Sequence, residues 1–411
     1  MDRLELKIFV EGSGERGTRI AVAWAAFDAA GTRLADSGER VELDPEWLAF
    51  RNEFAPFELS RSFVDSLLAL RPARVIVERL AGISLDLARI AYAFGFPLFV
   101  RQPETSILDA SDRRWVDGLL RVADALLPPA DAPASPPALS SVLPPMRRAS
   151  MSAKTFGYEA YAFSHRDHAL LLFMQTKLTP HFEGCREVVD VGCGTGIFLE
   201  ALTRHGIAAQ GVERNQMSAR YAQAMGHTVF TGDALDWLEA HPACCDGIYC
   251  SHFIEHLPVD DAERLIRVIA GALRPGGRAL LVFPDPESIR AQLLGFWRDP
   301  EHVRFYHPEL VMAFAEVHGL VLEYNSQRND PRQPGRHVAP FDFAPYFPPP
   351  PPARDGWWAR FLRALGMTPL AELEAIRARA DAHESVLRQL WAVNQTWAWE
   401  DNAVLRFQRP G

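Results

Sequence analysis

The chain has 411 residues, of which 48% are hydrophobic and 23% charged, a composition ordinary for a globular protein of two or three domains. Its net charge of −9 argues against nucleic acid as a partner, since nucleic-acid-binding surfaces are usually basic. No stretch reaches the roughly 20 apolar residues of a membrane span, and the first residues lack the pattern of a signal peptide. We therefore expect a cytoplasmic protein without a transmembrane segment, whose five cysteines stay reduced.

The first 125 residues alternate between strand and helix patterns. LKIFV, RIAVAWAAF, ARVIVERL and FPLFVR predict strands, and LDLARIAYAFG and WVDGLLRVADALL predict helices. The strand-helix order indicates an α/β domain, residues 1–125, with a parallel sheet. The stretch from Arg74 to Arg101 resembles the first half of the GT-B glycosyltransferases, which implies a remnant or a recognition module. Glu78 stands where those enzymes often carry histidine, and no second half follows, so an α/β domain of unknown role is the alternative.

Two proline-rich stretches divide the rest of the chain. Residues 126–150 and 329–355 are predicted linkers, because proline removes backbone donors and fixes φ. The second ends in an unbroken run, Pro348 to Pro352, which favours an extended polyproline conformation. The linkers separate a central domain, residues 151–328, from a C-terminal helical tail, residues 356–411.

The central domain contains the most informative segment, REVVDVGCGTGIFLEAL, which begins at Arg186. VVDV predicts a strand and IFLEAL the start of a helix. Three glycines between them, Gly192, Gly194 and Gly196, let the backbone approach a ligand at the sheet edge, and Asp190 precedes them by two residues. GxGxG after an acid resembles motif I of the class I S-adenosyl-L-methionine (SAM) methyltransferases. This resemblance implies a Rossmann-like α/β fold, a mostly parallel seven-stranded sheet and SAM as cofactor.

Further elements follow in the order of that family. Glu213, 21 residues after Gly192, ends the strand AAQGVE, where an acid can accept both ribose hydroxyls. The resemblance places Asp233 near the adenine amino group and assigns a backbone donor to Ala234. CDGIYCS and LRPGGRALLVFPDP predict the fourth and fifth strands.

The resemblance assigns a larger set of residues to the cofactor. Two tyrosines of this set belong to the segment 156–168, which resembles the segment that closes over SAM, although packing is the alternative for them. The candidates are Asp190, Gly192, Cys193, Gly194, Thr195, Gly196, Glu213, Asp233, Ala234, Ser251, Tyr158 and Tyr161.

The loop SHFIEH after the fourth strand requires a choice between readings. Its HxxEH pattern matches the inverzincin zinc proteases, but it begins at a strand end within a complete methyltransferase order, which excludes that reading. Some ubiquinone-pathway methyltransferases carry acids and a histidine here and bind magnesium. His252 stands where those enzymes have their first acid, so we predict no metal. For Glu255 and His256, capping and packing at the next helix is the alternative to a role in catalysis.

The loop after the fourth strand and the stretch after the fifth strand indicate which group of methyltransferases the chain resembles. SHFIEHLP and DPEHVR, with Pro308 and Leu310, resemble bacterial surface-polysaccharide methyltransferases of the O-antigen chain-terminating type. Some members carry a kinase domain and methylate the phosphate that it adds. No kinase motif follows here, which favours a sugar hydroxyl as acceptor.

We therefore predict an enzyme that transfers a methyl group from SAM to an oxygen acceptor, a sugar hydroxyl in surface-glycan biosynthesis. A hydroxyl needs a general base, and histidine titrates nearest neutral pH. The candidate bases are His252, His256 and His302. Candidate substrate-binding residues are Glu255, Asp299 and Arg304, with salt bridges inside the loop as the alternative for the last two.

Two other functions stay open. One is methylation of a small molecule, such as a quinone precursor or a nucleotide sugar. The other is a scaffold that binds SAM or glycan without turnover. Expected partners are a glycan, nucleotide-linked or lipid-linked sugar and glycosyltransferases, at a cytoplasmic location that includes peripheral attachment to the inner membrane.

The tail carries a heptad pattern of about three and a half repeats, which predicts self-association through a coiled coil. A single amphipathic helix docked on the body is the alternative. The seam residues are Leu373, Ile376, Ala380, His383, Leu387, Leu390, Asn394 and Trp397.

Overall fold

The structure is a computed structural model, and part of the chain is described in it. The described residues are 5–11, 20–28, 31–32, 34, 39–43, 54–55, 57–78, 83–101, 110–127, 161, 163, 166–288, 291–329, 356–366, 373–374, 376–387 and 401–411.

The N-terminal domain is built on a six-stranded mixed sheet. Its elements are β1 (Glu5–Glu11), β2 (Ile20–Phe27), β3 (Glu39–Leu43), α1 (Phe57–Leu70), β4 (Arg74–Val77), α2 (Ile83–Ala93), β5 (Leu98–Arg101), α3 (Ala110–Val122) and β6 (Ala125–Leu127). The strand order is β3-β2-β1-β4-β5-β6.

The sheet is only partly parallel. Strands β1, β4, β5 and β6 run parallel as predicted, but β1, β2 and β3 pair antiparallel. The connection between β1 and β2 is too short for a parallel crossover, which needs a dozen or more residues. The predicted helix WVDGLLRVADALL also ends early, because its last three residues form β6.

The central domain contains helices on a seven-stranded sheet. Its elements up to the second proline-rich stretch are α4 (His168–Thr176), β7 (Val188–Val191), α5 (Ile197–Arg204), β8 (Ala209–Glu213), α6 (Gln216–Ala224), β9 (Val229–Thr231), α7 (Ala234–Ala240), β10 (Cys245–Ser251), α8 (Val259–Ala272), β11 (Leu273–Pro284), α9 (Pro308–Val317), β12 (Val321–Asn325) and α10 (Ser326–Asn329). Then come α11 (Trp357–Ala364), α12 (376–387) and β13 (Asn402–Gln408). No helix in the described parts of the chain is both long and apolar enough to cross a bilayer.

The strand order of this sheet is β12-β13-β11-β10-β7-β8-β9. The five strands from β7 to β11 run parallel, and β13 runs antiparallel between β11 and β12. The prediction of a mostly parallel, Rossmann-like sheet of seven strands is confirmed. The carboxyl ends of β7, β8 and β10 therefore meet at one edge, where ligands of such sheets bind.

Strand β13 corrects the predicted extent of the C-terminal helical tail. Residues 402–408 form a strand whose alternate residues Ala403, Leu405 and Phe407 are buried. This period of two is the pattern of a strand with one face in the core. The central domain therefore resumes after residue 328, and α11 and α12 lie in an insertion between two strands of its sheet.

The N-terminal and central domains share one hydrophobic core. Trp115 and Leu119 of α3 belong to the same buried cluster as Tyr221 and Met225 of the central domain. The two backbones approach closely as well, since a Cβ on Gly118 would lie 2.7 Å from the backbone nitrogen of Gly226. The two domains thus pack as one body.

A buried carboxylate joins the two domains electrostatically. Glu200 of α5 lies 2.6 Å from Arg114 of the N-terminal domain, 2.9 Å from Arg204 and 3.3 Å from His227. Burial raises the pKa of Glu200, but hydrogen bonds from His227 and Arg114 outweigh it and hold that pKa well below its usual value. The carboxylate is therefore charged and paired at neutral pH.

A second buried polar group lies between α2 and α6. Asp86 accepts hydrogen bonds from the Tyr221 hydroxyl and from the backbone nitrogen of Ala55. The Arg89 guanidinium lies 4.7 Å from the centre of the Trp115 ring. Burial raises the pKa of Asp86. The Asp86–Tyr221 hydrogen bond therefore joins α2 of the N-terminal domain to α6 of the central domain.

Most of the heptad residues that the structure describes lie on the surface. Leu373, Ile376, Ala380 and Leu387 are exposed and His383 is half-buried, which does not support the docked-helix alternative. The remaining apolar and amide positions of the seam, Leu390, Asn394 and Trp397, lie outside the described residues. Self-association through this helix stays a prediction.

Candidate active site

The glycine-rich turn between β7 and α5 has a backbone that only glycine adopts readily. Gly192, Gly194 and Gly196 have φ values of +69°, +54° and +77°. A Cβ on Gly192 would lie 2.6 Å from Cδ2 of Phe253, and one on Gly194 would lie 2.6 Å from Nη1 of Arg166. The turn is therefore a bare backbone surface with side chains held directly against it.

Two buried carboxylates stand on the adjacent strands β7 and β8 beside this turn. Glu213 ends β8, and its two oxygens accept hydrogen bonds from the backbone nitrogens of Gly194 and Asn215, each at 2.7 Å. Asp190 lies within β7 and is buried; burial and the nearby Glu213 raise its pKa well above the usual value. A carboxylate oxygen has more than one lone pair. Glu213 can thus hold the turn in shape and still accept from a ligand.

Asp233 follows β9 and caps α7. Its Oδ1 accepts from the backbone nitrogens of Leu235 and Asp236, at 2.9 and 3.0 Å. This is the usual bonding of an N-cap aspartate. The cap places the carboxylate and the adjacent, buried Ala234 at the end of the strand next to β8.

The other proposed cofactor residues are distributed around the turn. Cys193 and Thr195 are buried within it, and a Cβ on Gly211 of β8 would lie 2.4 Å from the Cys193 sulfur. The hydroxyl of Tyr161 donates to the carbonyl of Arg298 at 3.2 Å. Tyr158 lies outside the described residues.

Ser251 ends β10, and the loop after it has a strained start. His252 has a φ of +51°, a value that non-glycine residues rarely adopt. Its backbone nitrogen donates to the carbonyl of Val282 at 2.8 Å. The next residue, Phe253, packs on Gly192. The loop is thereby held against the glycine turn, and strain of this kind is concentrated at functional sites.

Within this loop His252 and Glu255 form a pair. The His252 Nδ1 lies 3.0 Å from Oε1 of Glu255, whose side chain is 1% exposed while that of His252 is 48% exposed. Partial burial acts to lower the pKa of His252, but the hydrogen bond and charge of Glu255 outweigh it and raise the pKa above its usual value. A buried carboxylate thus orients an accessible imidazole.

His256 and His302 lie on the other side of Glu255. Their ring centres are 4.7 Å apart, and the Nδ1 of His302 lies 2.6 Å from the carbonyl of Phe296. The Nδ1 of His256 is buried without a hydrogen-bond partner, and burial lowers the pKa of this histidine. The pair is packed more deeply than His252.

Glu255, His256 and His302 could hold a metal ion. One potential ligand atom from each lies within 4.8 Å of the others, and Oε2 of Glu255 is buried without a hydrogen-bond partner. Carboxylate and imidazole are common ligands of divalent metals. That no metal takes part stays a prediction.

The segment from Asp299 to Arg304 is fastened to the same loop. The backbone nitrogens of Val303 and Arg304 donate to the carbonyl of Glu255, at 2.8 and 3.3 Å. Asp299 accepts from the backbone nitrogen of Glu301 at 2.9 Å, and the Arg304 guanidinium lies 5.1 Å from the Tyr306 ring centre. The segment from Asp299 to Arg304 therefore borders the loop that carries His252.

Sequence reasoning missed Arg166. This arginine lies against Gly194 and donates to the Ser218 hydroxyl at 3.3 Å. Its position in the segment expected to close over SAM was a usable signal, since that segment needs a cation for a cofactor with a carboxylate. Its distance from the glycine turn in the sequence concealed the contact.

The comparisons with known proteins agree with this geometry. A family model described as a methyltransferase domain matches residues 113–323, just over half of the chain. The chain belongs to the methyltransferase domain family. The matched region is a SAM-dependent methyltransferase domain, and the cofactor of this domain is SAM. The match extends into α3 of the N-terminal domain, before the first proline-rich stretch.

Two curated relatives are ubiquinone biosynthesis O-methyltransferases. The protein of Idiomarina loihiensis is 29% identical over 132 residues, which cover 30% of this chain and 52% of that protein. The protein of Ralstonia nicotianae is 28% identical over 166 residues, covering 34% and 67%. The chain spans about half to two thirds of the length of these relatives. A solved SAM-dependent methyltransferase of Archaeoglobus fulgidus is 22% identical with a TM-score of 0.41, covering 59% of this chain and 94% of that one.

These findings support the methyltransferase part of the resemblance. The likeness to O-antigen chain-terminating enzymes and the likeness of the N-terminal segment to GT-B glycosyltransferases stay predictions.

Proposed function

We propose that this methyltransferase transfers its methyl group to a hydroxyl oxygen, with His252 as general base. The observation that carries this proposal is the His252–Glu255 pair beside the glycine turn. A hydroxyl is a weak nucleophile until its proton is removed, and a histidine oriented by a carboxylate is suited to that task.

The residues around the turn fit SAM. Glu213 would accept the ribose hydroxyls, and Arg166, which lies against Gly194, would pair with the carboxylate of SAM. Asp190 of β7 and Asp233 after β9 lie on the two strands that flank β8. When bound, SAM supplies a methyl group on a positively charged sulfur.

His252 acts through its Nε2. Glu255 accepts the hydrogen bond from Nδ1–H, so this tautomer leaves a lone pair on Nε2 to take the hydroxyl proton. The exposed ring can reach an acceptor, and the raised pKa makes it a stronger base than an unpaired histidine. His256, whose pKa is lowered, is a weaker base and with His302 supports the wall behind Glu255.

A sugar hydroxyl is the acceptor we favour. Trp297 is 69% exposed, and its neighbours along the segment include Asp299 and the exposed Arg304. An exposed indole with charged hydrogen-bonding groups nearby suits a ring that bears several hydroxyls. The acceptor would be a surface glycan or its lipid-linked or nucleotide-linked precursor, which implies a cytoplasmic enzyme with glycosyltransferases as partners.

A phenolic hydroxyl is the second candidate. The observation that favours it is the name of the curated relatives, ubiquinone biosynthesis O-methyltransferase, at 28–29% identity. The same His252–Glu255 pair would serve this acceptor, because a phenol also reacts through its deprotonated oxygen.

The test is transfer of a labelled methyl group by the full chain. Lipid-linked glycans and nucleotide sugars form one acceptor panel and dihydroxylated aromatic acids the other. Label on a sugar oxygen supports the first acceptor, and label on a phenol supports the second. Label on nitrogen or carbon only, or activity undiminished in a His252→Ala variant, would overturn the proposal.

A further inference from the structure

Helix α11 presents an uncovered aromatic face to the surroundings. Trp357 and Trp358 are 76% and 57% exposed, and Phe361 and Leu365 beside them are exposed as well. The ring of Trp358 is stacked on Phe361 with centres 5.3 Å apart, and Trp357 lies 4.8 Å from Trp358. Large apolar groups gathered this way on one short helix mark an interaction surface.

The helix is strongly amphipathic. At 100° per residue, Trp357, Trp358, Phe361 and Leu365 fall within one arc of about 100°, and Arg360 falls about 60° beyond the Trp357 edge of that arc. Residues 356–366, GWWARFLRALG, contain two arginines and no acidic residue, within a chain whose net charge is −9. Local charge of this sign complements an anionic surface.

The position of α11 suits an anchor. It lies in the insertion between β12 and β13, after the proline run, and is not one of the elements that carry the site. The helix has only eight residues, far fewer than a bilayer span needs. It can lie in the plane of an interface but cannot cross it.

We propose that α11 is a membrane-surface anchor that inserts its tryptophan face into the interface of an anionic bilayer. Tryptophan suits the headgroup level because its ring is apolar and its N–H is polar. Arginine flanks add attraction to anionic lipid. A second copy of the chain is the competing occupant, but one eight-residue helix offers little more than two turns to a partner helix.

The experiment is co-sedimentation of the full chain with vesicles of phosphatidylcholine alone and with about 30% phosphatidylglycerol, at low and high salt. We expect binding to the anionic vesicles that weakens with salt. The double variant Trp357→Glu/Trp358→Glu should lose at least roughly tenfold in affinity, and Arg360→Gln roughly fivefold.

The matched control is Val317→Glu/Val321→Glu, which places the same charges on exposed apolar positions of the central domain. It should bind vesicles as the unaltered chain does, and circular dichroism should report the same fold for both double variants. Absence of vesicle binding, or equal binding by the tryptophan variant, would overturn the proposal. Loss of a dimer in light scattering without any vesicle binding would instead assign this face to a second copy. Since no acceptor is present, the result is independent of the proposed function.

Discussion

The Nδ1 of His252 lies 3.0 Å from Oε1 of Glu255, and Phe253, which follows His252 in the sequence, packs on Gly192 of the glycine turn. One short loop therefore connects a positioned imidazole to the glycine turn, where we propose that the methyl donor binds. This arrangement needs no motion of separate domains to assemble, because β10 and β7 are adjacent parallel strands.

Replacing the imidazole should remove catalysis while leaving cofactor binding intact. We expect His252→Ala to lower kcat by roughly 10²–10⁴-fold, the usual contribution of a general base. Titration calorimetry with SAM should give an affinity close to that of the unaltered enzyme. His302→Ala serves as the comparison. If its kcat falls by roughly 10²–10⁴-fold while His252→Ala keeps full activity, His302 is the base and His252 is not.

The pH dependence follows from the raised pKa of His252. The base works in its neutral form, so kcat/KM should fall as pH drops through this pKa, which lies above the 6.5 of an ordinary histidine. Glu255→Gln removes the charge that raises the pKa, so the acidic limb should move to lower pH. A pH–rate profile of both enzymes tests this, and an unmoved limb would contradict the pairing.

The carboxylate of Glu213 should contribute strongly to cofactor affinity. We expect Glu213→Ala to weaken SAM binding roughly 10–100-fold, because it removes charged hydrogen bonds of about 1.5–3 kcal/mol and frees the Gly194 amide. Calorimetry with SAM measures this. Glu323→Ala, which removes an ion-paired carboxylate from the exposed strand β12, is the control and should bind SAM normally.

Arg166 should act on the cofactor and not on the acceptor. We expect Arg166→Ala to raise the KM for SAM roughly tenfold, a loss of about 1.5 kcal/mol for one charged hydrogen bond. Arg166→Lys, which keeps the charge, should recover part of the affinity. If SAM affinity is unchanged in both variants, the assignment of the carboxylate to Arg166 is wrong.

The contact between the domains should be visible in stability. Arg114→Ala leaves Glu200 buried with fewer partners, so we expect a loss of about 1–3 kcal/mol in the free energy of unfolding. Arg264→Ala removes a surface arginine paired with Asp236 and Glu239 and should leave the free energy of unfolding nearly unchanged, because solvent screens exposed ion pairs. Urea unfolding at neutral pH compares the two.

The same ion pair should make stability fall in acid. The pKa of Glu200 is lowered in the folded protein, so its contribution is complete above the pKa of the unfolded chain and is lost as pH falls towards the folded value. In a Glu200→Gln variant this part of the acid sensitivity should disappear. Equal pH dependence of the two proteins would show that Glu200 does not couple the domains.

The local features of the candidate site could be predicted from the amino-acid sequence alone. The GxGxG turn after Asp190, the acid at the end of β8 and the order of the five parallel strands depend on residues adjacent in the chain, and each was predicted in place. The glycines and the strand-end acids can be recognised in the sequence because their roles depend on backbone geometry within one turn.

Strand β13 and the contacts of Arg166 and Arg114 could be recognised only in the folded structure. The strand that carries Ala403, Leu405 and Phe407 pairs with β11 on one side and β12 on the other. Its place in the sheet exists only when these two strands, which are distant in the sequence, lie side by side. Arg166 reaches Gly194, and Arg114 reaches Glu200, across 28 and 86 residues (194 − 166 and 200 − 114). Contacts of this kind depend on packing between elements, which no local periodicity records.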